Sequence, residues 1–99
     1  MQKAPKDNVI AEYEMKRNNG DTHRTVLLEN GISEWYLDGN KTKGYKWKIV
    51  NKEIYIIYER IIHVYRMNKD QTITYIAYIR DEKRTDAPKN YNYTYKRIK

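Results

Sequence analysis

Cysteine is absent from this 99-residue chain, so neither a disulfide nor a thiolate contributes to its fold or chemistry. Phenylalanine is absent as well, and serine occurs once, at Ser33, outside any nucleophile-elbow context. With four glycines, no Gly-rich run cradles phosphate. No apolar run approaches the roughly 18 residues of a membrane-spanning helix, and no signal-peptide core follows Met1. The compartment stays open. If the natural protein is exported, Met1 replaces a removed leader and an envelope-associated protein is expected; otherwise it is cytoplasmic.

What is present is charge and tyrosine. A third of the residues are charged, 39% are hydrophobic, and 11 are Tyr. Each phenol can bury an apolar ring and keep its hydroxyl wet, which offsets the thin aliphatic content. The net charge of +7 is uneven. Residues 1–40 carry five basic and seven acidic side chains, residues 41–99 fifteen and six. A basic surface suits a polyanion or is simply solvated.

Length allows one domain with one modest core. Residues 1–8 read as a flexible polar lead-in and 9–99 as the domain. Its most informative stretch is Gly44 to Arg80. In Tyr45–Val50 the apolar Tyr45, Trp47 and Ile49 alternate with Lys46 and Lys48, the period of two that a half-buried strand requires. Ile54–Tyr58 follows an Asn51-Lys52 turn and is β-branched or aromatic throughout. Further strands are expected over Val9–Arg17, where a helix is the alternative, and over Thr22–Glu29, Ile32–Asp38, Thr72–Arg80 and Asn92–Ile98. Asn30-Gly31 predicts a type I′ hairpin. Ile61–Met67 either reverses tightly at Glu59-Arg60 or continues from Ile54 through a bulge. Lys41–Lys43 and Asp81–Asn90 read as loops. The pattern predicts an all-β fold, an antiparallel up-and-down meander of seven or eight strands forming a small, partly open barrel around Trp35, Trp47, Ile49, Ile56 and Tyr75.

Three segments carry a resemblance: Leu27-Leu28-Glu29-Asn30-Gly31, then Gly44-x-x-Trp47-Lys48-Ile49, then an Ile/Tyr strand with a polar-turn hairpin. Over residues 9–80 the chain resembles small bacterial lipocalin-like β-barrel domains. The glycine sits one residue further from Trp47 than in that pattern, and Glu12-Tyr13 stands where a Gly-x-Trp is usual. The resemblance implies a barrel and little about function, since that group is mostly unassigned or loosely tied to the cell envelope. The function expected for this chain is that of a non-enzymatic binding or protein-interaction domain of lipocalin-like form.

Candidate chemistry is sparse. His23 and His63 lie on different strands without the three or four ligands zinc needs, so no metal or other cofactor is expected. The acids are scattered, and the adjacent Asp81-Glu82 sits among Arg80, Lys83 and Arg84 as solvated pairs. No catalytic residue and no enzyme are expected. Asn40 and Asn92 open Asn-x-Thr triplets that matter only in a eukaryotic secretory protein. The strands from Ile54 to Tyr78 are apolar on both faces. Outward Tyr55, Ile57, Tyr65, Ile76 and Tyr78 are therefore expected to form a ligand or interface face, for a homodimer, a protein partner or a small apolar ligand. The alternative is a polyanion or single-stranded nucleic-acid site at Lys41, Lys43, Lys46, Lys48 and Lys52, although alternation turns these lysines away from Tyr45 and Trp47. A further alternative is an engineered or stability scaffold with no ligand.

Overall fold

The computed structural model describes residues 10–17, 20–88 and 93–98. The lead-in 1–8 lies outside the described residues. Among the described residues nine strands form one antiparallel sheet: β1 (Ala11–Lys16), β2 (Thr22–Leu27), β3 (Ile32–Leu37), β4 (Asn40–Val50), β5 (Glu53–Tyr58), β6 (Ile61–Met67), β7 (Ile73–Arg80), β8 (Lys83–Asp86) and β9 (Thr94–Arg97). Strands β1 to β7 pair in sequence order, and β9 pairs with both β7 and β1. The result is the expected up-and-down meander, closed into a small eight-stranded barrel with β8 as an extra strand.

The closure is economical. Along the free edge of β7, β8 covers Ala77 to Arg80, Ala87 N–H donates to the Ile76 carbonyl, and β9 pairs with Ile73 and Thr74. Residues 83–87 and 93–95 therefore act as one interrupted strand. On its far side β9 pairs only Tyr13 with Arg97 and Glu14 with Lys96, extended by Ile98 N–H to the Glu12 carbonyl. Among the described residues β8 has no second neighbour, and all four of its own residues are exposed and polar, the charged edge that discourages pairing with other chains.

Two expected loops are strands. Asn40–Lys43 extends β4 to 11 residues, opposite Tyr36 and Leu37. Lys83–Asp86 forms β8 because β7 offers it a ladder, not because its side chains bury anything. The turns follow backbone demand. At Asp38-Gly39, Asn51-Lys52 and Asp81-Glu82 both central residues have positive φ, the type I′ geometry whose twist matches the strands. Asn30-Gly31 departs from expectation. Here Gly31 N–H donates to the Leu28 carbonyl, Leu28 N–H donates to the Ile32 carbonyl, and only Gly31 (φ 84°) is left-handed, a type I turn with a bulge. Asn68–Thr72 repeats that bond pattern with Gln71 (φ 70°) in the glycine position. Glu59-Arg60 reverses tightly between the paired Tyr58 and Ile61. The bulge lies instead in β7, where Val64 faces Ala77 but Tyr65 faces Tyr75, leaving Ile76 as the extra residue.

The interior divides in two. Towards turns 28–31, 51–52 and 68–72 it is packed by Leu27, Trp47, Ile54 and Ile73, with Ile49 and Met67 against them. Trp47 Nε1–H satisfies the Leu28 carbonyl at 2.8 Å, so its ring is buried with no stranded donor. Each aliphatic side chain buried there contributes about 1.5–3 kcal/mol. Towards turns 38–39 and 59–60 the filling stops.

Candidate functional site

The unfilled half of the barrel is a cavity of about 380 Å³, at the small end of the range for ligand pockets. Its wall is aromatic. Tyr45 (β4), Tyr58 (β5), His63 and Tyr65 (β6), Tyr75 (β7) and Tyr95 (β9) line it, with Trp35, Ile56, Thr25, Ser33 and Tyr93 between them. Strand alternation puts these side chains inside. The rings form a chain of contacts with centroids 4.7 Å apart for Tyr45–Tyr58, 6.4 Å for Tyr58–His63 and 5.5 Å for His63–Tyr75. It continues at 5.3 Å for Tyr75–Tyr65 and 5.9 Å for Tyr65–Tyr95. Two of these contacts are edge-to-face, an arrangement ring quadrupoles favour. On the opposite wall Trp35 stacks on His23 at 5.5 Å.

The electrostatics of this wall discourage charge of either sign. Burial lowers the pKa of the His63 imidazole and so favours its neutral form. Burial also raises the phenols of Tyr45 and Tyr75, lifts Tyr65 well above the ordinary tyrosine value, and pushes Tyr95 up to about 12. The Tyr75 hydroxyl lies 3.1 Å from His63 Nδ1. Ser33 donates to the Tyr45 carbonyl at 3.2 Å. Glu34 borders the cavity between Ser33 and Trp35, but alternation turns its carboxylate to the other face of β3, where Lys41 Nζ holds it at 2.7 Å and the Tyr36 hydroxyl donates to it at 3.2 Å. Its carboxyl pKa is lowered, chiefly by the Lys41 bond. Arg17 caps Tyr93, donating to its hydroxyl at 3.0 Å with the guanidinium 5.2 Å from the ring centre.

The five residues expected on one outward face are not brought together. Tyr65 lines the cavity, and Tyr78, paired with His63, shares that inward face and adds to the rise of the Tyr75 pKa. Ile76 is the bulge residue. Tyr55 and Ile57 do face outward, alternating with Ile54, Ile56 and Tyr58, and both are half-buried. The bulge shifts the register of β7 by one residue, which reassigns the face of every side chain beyond it.

The outer face of β5 to β8 is nevertheless apolar. Val64, between the cavity-lining His63 and Tyr65, faces out with its partner Ala77, and both are 0% exposed. Arg84 reaches from β8 to Glu53 at the start of β5, with Nη1–Oε1 at 2.8 Å and Nη2–Oε2 at 2.9 Å. Sheet twist brings such diagonal corners together on one face. The pair lowers the pKa of Glu53 and raises that of Arg84. Among the described residues Ile98 is the only exposed large hydrophobic side chain.

Of the lysines, Lys41 is paired with Glu34, and Lys46, Lys48 and Lys52 are exposed. The side chain of Lys43 lies outside the described residues. Trp47 is buried and Tyr45 faces the cavity, so neither presents a stacking platform beside them. Among the described residues no group of three or more His, Cys, Asp or Glu side chains could hold a metal ion, and no helix is long and apolar enough to cross a membrane. Comparison with protein-family models, with curated proteins and with solved structures finds no match.

The sequence pattern put Trp35 and Tyr75 in the barrel core without deciding whether that core is filled or hollow, and it gave His63 no role. All three line the cavity. The available signal was the unusual number of tyrosines at inward strand positions: a ring that must keep a hydroxyl satisfied is a poor filler for a closed core.

Proposed function

We propose that this chain is a non-enzymatic, lipocalin-like binding domain that holds a small molecule in the hollow half of its barrel. The observation that carries the reading is the 380 Å³ cavity walled by rings. Lining by hydrophobic and aromatic side chains with a few placed polar groups is what small-molecule sites share. A scaffold shaped only for stability would have filled that volume, since unfilled space costs stability. The polyanion alternative draws less support, because the rings beside the lysines turn inward and Lys41 is engaged by Glu34.

The test is calorimetric titration with N-phenyl-1-naphthylamine, an uncharged apolar probe. Saturable one-to-one binding is expected, lost in Ile56→Trp, which places an indole in the cavity, and retained in Lys48→Gln. Equal binding to the filled variant, or no binding to the parent, counts against a ligand carrier. Steep salt-dependent retention on heparin, lost in Lys46→Gln/Lys48→Gln, would favour the lysine face instead.

A further inference from the structure

Accepting the carrier reading, we infer that the ligand is an uncharged aromatic molecule bearing a hydrogen-bond acceptor, and that His63 is the residue that reads the acceptor. The shape of the wall sets the first part. Six rings in successive contact from Tyr45 to Tyr95 present faces and edges, which complement a flat conjugated molecule better than a flexible alkyl chain.

Charge is excluded on both sides. Among the described residues no Lys or Arg lines the cavity, so an anion would enter without a counter-ion from them. A cation could use tyrosine faces. However, Arg17 already occupies the face of Tyr93, and the Glu34 carboxylate is committed to Lys41 and Tyr36. The depressed pKa of His63 and the raised pKa values of the phenols express the same aversion to buried charge.

The polar reader follows from the His63–Tyr75 contact. A phenol is a good donor and a neutral imidazole nitrogen a good acceptor, so the Tyr75 hydroxyl donates to Nδ1 across 3.1 Å. The ring proton then sits on Nε2, whose hydrogen bond Tyr75 thereby sets. Nε2 has no hydrogen-bond partner among the described residues, and it is not among the enclosed polar atoms that lack one. It is an N–H still free to donate, on a side chain of the cavity wall. Tyr75 is the positioning residue and His63 the contact.

A matched set of probes tests this: naphthalene, 2-acetonaphthone, 2-naphthoate and 2-naphthyltrimethylammonium, titrated into the full chain by calorimetry. The ketone is expected to bind at least about fivefold more tightly than naphthalene and than either ion. His63→Phe should weaken the ketone about tenfold and naphthalene less than about twofold. His63→Gln, which keeps a donor, should retain most of the preference and serves where the Phe variant unfolds. Tighter binding of the carboxylate or of the ammonium overturns the inference while leaving the carrier reading intact. So does equal weakening of ketone and naphthalene by His63→Phe. Failure of all four to bind overturns both.

Discussion

Ile54 and Ile56 stand two residues apart on the same face of β5, yet they belong to different kinds of interior. Ile54 is wholly enclosed by the packed end, whereas Ile56 forms part of the cavity wall. The difference is one of side-chain shape. Branched aliphatic groups and the Trp47 indole interlock at the packed end, as close-packed cores require. At the other end stiff planar rings meet edge to face, and each phenol oxygen needs room for a partner, so the rings hold one another apart. The packed end is accordingly expected to supply more of the stability than the hollow one.

Four measurements break or sharpen that division. The largest effect is expected from Ile54→Ala, which should cost about 3–4 kcal/mol in urea unfolding, against about 1–2 kcal/mol for Tyr58→Ala, whose ring already borders empty space. Comparable losses at the two sites would mean that the hollow end bears as much load as the packed one. Next, Ile54→Trp should destabilise by about 3 kcal/mol through overpacking, while Ile56→Trp stays within about 1 kcal/mol of the parent because its indole has somewhere to go. A collapse of melting temperature in both would show that the cavity does not persist in solution.

Acid should act on the hollow end first. His63 and His23 both have folded pKa values below the ordinary 6.5, chiefly through burial. The unfolded chain thus binds more protons just below pH 6.5, so the stability linked to these groups is complete above that pH and is lost as pH falls through the depressed folded values. The urea midpoint should drop between pH 7 and pH 5, and His63→Gln should flatten the drop; an unchanged slope in that variant would leave His63 without a part in it. The smallest effect is a gain. Gln71→Gly relieves a left-handed residue in the turn beside the packed end and should add about 0.5–1 kcal/mol without altering probe affinity.

Much of the architecture was legible because it rests on local pattern. The alternation in Tyr45–Val50 placed Trp47 and Ile49 inside and Lys46 and Lys48 outside, and Trp47 is buried with both lysines exposed. The meander followed from turn residues at short spacing. What local pattern could not carry was register. One extra residue at Ile76 puts Tyr78 on the inward face beside its partner His63, and nothing in the spacing of Tyr and Ile marks it. β8 escaped notice because Lys83, Arg84, Thr85 and Asp86 bury nothing, and periodicity reports only burial. The apolar outer face was foreseen as unpartnered surface, whereas a carboxylate 31 positions away from Arg84 spans it, a pairing that sheet twist alone creates. Hollowness was the least legible property, since its one signal, the inward tyrosines, can be used only once register has shown which positions face inward.

The two-residue ladders of β9 bear on how the chain comes to fold. β1 to β7 pair as successive hairpins, whereas the pairing of Tyr13 with Arg97 joins the two ends of the barrel. Non-local closures of this kind are slow because loop entropy must be overcome before the contact rewards it. The seam is therefore expected to be the last part to form and the first to exchange its amide hydrogens. Tyr95, which β9 contributes to the cavity wall, arrives with that final step. A bound molecule would then act as a latch. By occupying a site that exists only when the seam is shut, it would slow the opening of the barrel in proportion to its saturation.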